Sequence, residues 1–210
     1  MDFSTIKNII FDLGNVIINL DYQKSHNAFS KLTKIGHEEI AKRLKDSQLF
    51  DKHGNGDLTD PEFRNEIRKV LELNASDQDI DYAFNELLRD IPQERLDLLK
   101  KLSKKYRLFL LSNTNFIHIE KVNEILHKSS GIKNLQQLFE KVYYSHELKL
   151  SKPYLKIYET VLIENNLTPT ETVFIDDIIS NTEGSKAAGM HAIQVLPYFS
   201  IIDIFAHEIN

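Results

Sequence analysis

The chain of 210 residues has no cysteine. Disulfides, thiolate metal sites and a thiol nucleophile are therefore all excluded from its fold and its chemistry. It also lacks an excess of positive charge, with 26 Lys and Arg against 31 Asp and Glu, a formal net charge of -5 and a pI near 5.9. A surface built to neutralise nucleic-acid phosphates needs a dense cationic face, so no nucleic-acid partner is expected. No apolar run approaches the ~20 residues that span a bilayer. The opening Met1-Asp2-Phe3-Ser4-Thr5 sets no basic region ahead of an apolar stretch. No membrane partner is expected, and the expected location is cytoplasmic. Five prolines and seven glycines leave no linker rich in these residues, and there is no internal repeat or low-complexity tract. What remains is an ordinary globular composition, 41% hydrophobic and 27% charged. The length suits one full domain with a modest insert, as a monomer or small homo-oligomer.

Apolar runs that stop at polar residues organise the chain. Ile9-Ile10-Phe11 ends at Asp12-Leu13-Gly14-Asn15, Leu108-Phe109-Leu110-Leu111 at Ser112-Asn113-Thr114, and Val173-Phe174-Ile175 at Asp176-Asp177. Each predicts a buried strand that delivers polar groups at its C-terminal end. Lys141 to Tyr144 and His191 to Leu196 predict two further strands. Helical spacing predicts helices over Glu94–Lys105, Pro153–Asn165 and Thr182–Ala188, the last closed by Gly189. From about Tyr22 to Arg89 the spacing is helical throughout, enough for about four helices. Alternating strands and helices imply an α/β fold: a Rossmann-like, three-layer parallel sheet with right-handed crossovers. Ligands of such sheets bind beyond the carboxyl ends of the strands, where all three polar clusters would lie. The core is expected from 1–18 and 91–210, and a helical-bundle cap from 19–90.

Asp12 stands where a carboxylate can attack phosphorus and form an aspartyl-phosphate, or simply satisfy a turn. Asp176 and Asp177 are neighbouring carboxylates, costly together unless a cation lies beside them; alternatively they cap a helix. Mg²⁺ fits Asp12 plus this pair, because it takes one or two protein carboxylates and keeps waters and phosphate oxygens for the rest. Ser112 and Asn113 offer hydroxyl, amide and backbone N–H groups to a phosphoryl oxygen, or a plain cap. Lys152, ahead of a Pro153 able to open a helix, would offset charge on a phosphoryl group in flight. Alone it would be an ordinary surface lysine.

In this order, these clusters resemble the four motifs of the haloacid dehalogenase superfamily. Ile9 to Ile17 is similar to the first, Leu110 to Asn115 to the second, and Ser151-Lys152-Pro153 with Ile157-Tyr158 to the third. Val173 to Asp177, followed by Asn181, Gly184, Ala187, Gly189 and Met190, is similar to the fourth. Within the superfamily the chain most resembles a bacterial branch of sugar-phosphate phosphatases that includes the alpha-D-glucose-1-phosphate phosphatase. The resemblance implies a Mg²⁺-dependent phosphomonoesterase acting on a small phosphorylated metabolite such as a hexose 1-phosphate. It assigns Asp12 as nucleophile and metal ligand, the Gly14 carbonyl and Asp177 as further ligands, and Asp176 as a ligand directly or through water. Ser112, Asn113 and Lys152 would hold the phosphoryl group. Gly14 departs from the pattern, since most phosphatases of the superfamily place there a second Asp that protonates the leaving alcohol. General acid help is worth roughly 10²–10⁴-fold. Its loss implies a slow enzyme, an acid from the cap, or a leaving group needing little help, such as an anomeric oxygen.

Three other readings stay open at this point. A metal-free 2-haloacid dehalogenase would use the same aspartate on carbon, although the Asp176–Asp177 pair speaks against a site without a cation. A low-activity or non-catalytic relative would explain Gly14. Asp51 to Glu62 nearly spells a calcium-binding loop, but a turn at Gly54-Asn55-Gly56 and a helix capped by Thr59 with Glu62 accounts for the same residues. His26, His37 and His53 are candidate substitute acids, and His53 and Phe50 candidate substrate contacts.

Overall fold

Ile9, Ile10 and Phe11 are fully buried, as the centre of a parallel sheet covered on both faces requires. They form strand β1 (Asn8–Phe11), which pairs in parallel with β2 (Arg107–Ser112) on one side and β4 (Thr172–Asp176) on the other. Strands β3 (Lys141–Tyr144) and β5 (His191–Gln194) complete the sheet in the order β3-β2-β1-β4-β5. The structure, a computed structural model, describes residues 3–208.

Side chains alternate between the two faces with the period of two that a strand imposes. Ile9, Phe11, Leu108, Leu110, Val173 and Ile175 enter one apolar cluster. It is completed by helices α6 (Gln93–Leu102), α7 (Phe116–Ser130) and α11 (Ile201–Ile204). Ile10, Phe109, Leu111 and Phe174 enter another, with α9 (Leu155–Glu164). Helix α10 (Ile179–Ala187) lies beside α9 and the turn before it, so closely that a Cβ on Gly184 would stand 2.9 Å from Tyr158 Cε2 and 2.4 Å from the Pro153 carbonyl oxygen. A three-layer α/β core results. The chain runs outward from β1 through β2 to β3, then crosses to β4 on the opposite side. That reversal opens a crevice beyond the C-terminal end of β1.

Between β1 and α6 lie five helices: α1 (Tyr22–Ser30), α2 (His37–Ser47), α3 (Leu49–Gly54), α4 (Asp60–Leu71) and α5 (Asp77–Asn85). The spacing suggested about four. The extra element arises at Gln48, whose left-handed φ of 55° ends α2 and starts the short α3. The helices enclose their own apolar cluster, centred on Phe29, Ile40, Phe63, Ile67, Leu71 and Ile80. Capping boxes open α4 (Thr59 with Glu62) and α5 (Ser76 with Asp79), each satisfying two backbone N–H groups that a helix start leaves bare. Asp51 to Glu62 therefore forms the end of α3, a turn and a capped helix start. Helix α8 (Ser145–Leu148) follows β3 directly.

Several expected boundaries are displaced: α6 ends at Leu102 instead of Lys105, α10 begins at Ile179 instead of Thr182, and β5 ends at Gln194 instead of Leu196. Pro153 does not open α9; Tyr154 is the N-cap and the helix begins at Leu155, while Lys152–Pro153 forms a turn with a cis peptide bond. Among the described residues, no helix is long and apolar enough to cross a membrane.

Candidate active site

Asp12 follows the last residue of β1, and its N–H still continues the sheet by donating to the Ile175 carbonyl at 2.8 Å. Asp176 is the last residue of β4, directly across that pairing, and Ser112 the last of β2. Lys152 reaches the same place from the turn before α9. Its Nζ donates to Asp12 Oδ1 and to Asp176 Oδ2, both at 2.7 Å, with the ammonium 1% exposed. The Phe174 ring lies beneath it at 5.3 Å. Groups separated by 140 residues thus meet only because three parallel strands end side by side.

The surroundings of Asp176 leave its carboxylate fully engaged. Oδ1 accepts from the Ile178 N–H at 2.8 Å, Oδ2 from Lys152, and the Asn181 amide reaches both oxygens at 3.0–3.1 Å. Asp177 is only half-buried, and its Oδ2 accepts from Asn15 Nδ2 at 2.9 Å. The other face of the Asn15 amide accepts from the Leu20 N–H at 3.1 Å, in a turn where Asn15 has a left-handed φ of 53°. Asparagine tolerates that conformation better than most residues. Asn15 and Asn181 are structural parts of the site that the residue-by-residue reading left without a role, although each stands at a fixed offset from a site aspartate.

Asp12, Asp176 and Asp177 each place an oxygen within 4.8 Å of the others. Three carboxylates against one ammonium leave two negative charges in a mostly buried site. The cost is visible in their proton affinities. Burial pushes the Asp12 carboxyl up to about 7 against the pull of Lys152, with Asp176 adding to the rise. Burial likewise raises Asp177 above the usual carboxylate range, opposed by the Asn15 hydrogen bond. Burial works to discharge Lys152, but Asp12 and Asp176 prevail and hold it above the ordinary lysine value. A hard divalent cation among oxygen donors offsets this imbalance, so the residues fit a metal ion in charge and in donor type.

Ser112 is buried, and its hydroxyl has no protein partner among the described residues. Asn113 is differently employed from what its place suggests. Its side-chain amide donates to the Lys152 carbonyl and accepts from the Lys152 N–H, both at 2.9 Å. It therefore fixes the backbone that carries the lysine, leaving its own backbone N–H for a ligand. A Cβ at Gly14 would meet Leu20 Cδ1 at 2.7 Å, so Leu20 occupies the room into which a side chain there would grow.

Tyr22, the first residue of α1, was not foreseen. Its phenol is held above the usual value by burial of the hydroxyl end and by the charges of Asp177 and Asp12, although the residue is 58% exposed. Nothing in the local pattern marks it. Of the histidines, His53 is buried, stacked on Phe63 at 4.1 Å between ring centroids and bonded to Asp60 Oδ1 at 2.7 Å. His26 and His37 pack against each other on the outer part of the helices.

A family model described as haloacid dehalogenase-like hydrolase matches residues 6–189. The chain belongs to this family and is a hydrolase of it. D-ribitol-5-phosphate phosphatase of Bacteroides thetaiotaomicron is 29% identical over 189 residues, covering 90% of this chain and 91% of that protein. A solved haloacid dehalogenase family enzyme of Bacteroides thetaiotaomicron, in complex with magnesium and inorganic phosphate, is 36% identical. It has a TM-score of 0.87, covering 95% of this chain and 99% of that one. L-2-haloacid dehalogenase of Xanthobacter autotrophicus, with a TM-score of 0.61 at 19% identity over 90% of this chain and 77% of its own, shares the fold.

Proposed function

We propose that this hydrolase is a Mg²⁺-dependent phosphomonoesterase for a small phosphorylated sugar or polyol. The observation that carries the reading is one buried ammonium shared by Asp12 and Asp176, with the Asp177 carboxylate beside them. The phosphatase activity named for one relative and the magnesium and phosphate bound by another support it. Residues 1–18 and 91–210 form the catalytic core in this reading, and 19–90 the cap over the crevice.

Asp12 attacks phosphorus in line with the ester oxygen, the P–O bond breaks, and the alkoxide leaves as the alcohol after taking up a proton. Water then hydrolyses the aspartyl-phosphate on Asp12, regenerating the carboxylate and releasing phosphate. Asp12, the Gly14 carbonyl and Asp177 would hold Mg²⁺, which when bound supplies charge neutralisation for the phosphoryl oxygens. Asp176 has both oxygens committed within the protein, so its role is to hold Lys152, and any contact with the ion runs through water. Lys152, the Ser112 hydroxyl and the Asn113 N–H bind the phosphoryl oxygens, stabilising the charge that spreads over them in transfer. The dehalogenase reading lacks support, since a metal-free site leaves the two surplus charges uncompensated.

Two substrate classes compete. The absence of an acid at Gly14 favours an anomeric leaving oxygen, as in a hexose 1-phosphate, which departs with less protonation than a simple alcohol. The likeness to a ribitol-5-phosphate phosphatase favours a primary phosphate on an open polyol. A panel of both classes, turned over with Mg²⁺ beside the Asp12→Asn variant, tests everything at once. The expected result is turnover that needs Mg²⁺ and vanishes in the variant, with sugar 1-phosphates outpacing simple alkyl phosphates. Turnover that persists without Asp12 overturns the mechanism. Equal rates on all alcohols remove the leaving-group argument.

A further inference from the structure

Besides the contacts of Leu20 with Asn15 and of Leu87 and Leu88 with the core cluster, the helical insert meets the core at two places. These are Ile117–His118 and the corner of Thr114, Ser145 and His146, the first of these and Thr114 lying just beyond Ser112. Asn85 Oδ1 of α5 meets His118 Nδ1 at 2.8 Å, the Phe84 ring stacks on that imidazole at 3.9 Å, and Ile117 enters the apolar cluster of the insert. At the second place the Gly54-Asn55-Gly56 turn, at the end of α3, seats on Thr114, Ser145 and His146. Gly56 has a φ of +73°, and a Cβ there would stand 2.4 Å from the His146 carbonyl oxygen. Only glycine permits this approach of two backbones.

Ser145 lies at the centre of the second contact and is fully buried. Its oxygen accepts from the Thr114 N–H at 2.9 Å, and its hydroxyl donates across the seam to the Gly54 carbonyl. The Thr114 carbonyl offers the same hydrogen a second acceptor at 3.2 Å, inside the core. The hydroxyl has one hydrogen and two acceptors, one on each side of the seam. If the insert lifts, Gly54 O passes to water and the hydroxyl turns to Thr114 O, so no buried polar group is stranded at the usual cost of about 1–3 kcal/mol. The contact is therefore cheap to break and to remake. Thr114 is two residues beyond Ser112 and adjoins Asn113, whose amide clamps the backbone of Lys152.

We infer that Ser145 is a positioning residue that couples seating of the insert to the segment of the core that binds the phosphoryl group. The inference rests on the phosphatase reading above. With the turn seated, Ser145 accepts from the Thr114 N–H while its own hydrogen is drawn to Gly54, and this hold on Thr114 pre-organises the Ser112–Asn113 segment for phosphate. With the turn lifted, the Ser145 hydrogen passes to the Thr114 carbonyl, which His146 Nδ1 already contacts at 2.9 Å, and the altered hold on Thr114 shifts the Ser112–Asn113 segment away from that geometry. Coupling of this kind is reciprocal, so phosphate bound in the core must favour the seated insert by the same factor.

The test uses the full chain with Mg²⁺, and inorganic phosphate as the probe, followed by titration calorimetry. Gly56→Ala touches no phosphate-binding group, yet it drives the turn off His146; phosphate affinity is expected to fall about tenfold, within the usual range for coupled sites. Ser145→Ala is expected to cost a similar factor, and the double variant no more than the larger single effect, because both break one link. Ser145→Thr, which keeps the hydroxyl, should recover most of the affinity. Wild-type affinity in folded Gly56→Ala, or losses that multiply in the double variant, would overturn the coupling while leaving the phosphatase reading intact. Wild-type protein that takes up no phosphate in the presence of Mg²⁺ overturns both. Should Ser145→Ala fail to fold, Gly56→Ala against wild type decides the matter alone.

Discussion

The crevice at the end of the sheet and the helical insert are built from opposite kinds of contact. At the crevice, Lys152 to Asp12 spans 140 residues and Asn15 to Asp177 spans 162, and nothing near in sequence can replace them. In the insert, Thr59 with Glu62 and Ser76 with Asp79 close helix starts over three residues. The insert thus draws much of its shape from local propensity and capping, whereas the crevice exists only when the whole topology is in place. A further contrast concerns polar satisfaction. Asp176 has a donor for each oxygen, but His53 keeps a buried Nδ1 with no partner.

Four measurements sharpen or break that contrast. The largest effect is expected for Lys152→Met, which leaves Asp12 and Asp176 buried without their cation. Turnover should fall by at least about 10²-fold, and stability by about 3–5 kcal/mol in denaturant melts; an unchanged melting curve would show that the carboxylates find other compensation. Phe63→Ala removes a fully buried ring from the insert cluster and should cost about 3–5 kcal/mol. If the two regions unfold separately, this loss will appear in the insert alone, as earlier amide exchange there than in β1 and β4.

A smaller effect follows from His118, at the seam between the regions. Burial, with a minor push from His53, depresses its pKa to about 3 from an ordinary 6.5. The native state therefore refuses a proton that the unfolded chain accepts. Its contribution to stability is intact above about pH 6.5 and erodes as the pH falls towards 3. Melting temperature followed across this window should decline less steeply in His118→Gln; an identical slope would place the acid sensitivity elsewhere. The smallest effect is Thr59→Ala, with a loss of about 1 kcal/mol and turnover close to wild type.

Much of the crevice was legible before any coordinates, because an apolar run ending in polar residues marks both a strand and what it presents. Asp12, Ser112 and Asp176 stand at strand ends in that way, whereas Lys152 is marked only by the Pro153 that follows it and reaches the crevice from a turn. Roles that depend on a distant partner were not legible. The Asn113 amide binds a backbone 39 residues away, a partner that the local pattern does not show, while its N–H keeps the proposed phosphoryl role. Tyr22, at the start of α1, feels the charges of Asp177 and Asp12, and Ser145 meets Gly54 across 91 residues. The displaced start of α9 and the break at Gln48 have a different cause. Both turn on local backbone conformation, which side-chain spacing does not encode.

The strand order has a consequence for how the protein comes into being. β1 is made first, lies in the middle of the sheet, and receives its second neighbour only when β4 emerges some 160 residues later. Until then the unpaired N–H and C=O groups along its free edge, flanked by apolar side chains, stand open to other chains. The nascent polypeptide can assemble the helices after β1 early, but it waits for its last third before it can hold a charge on Asp12 in the right company.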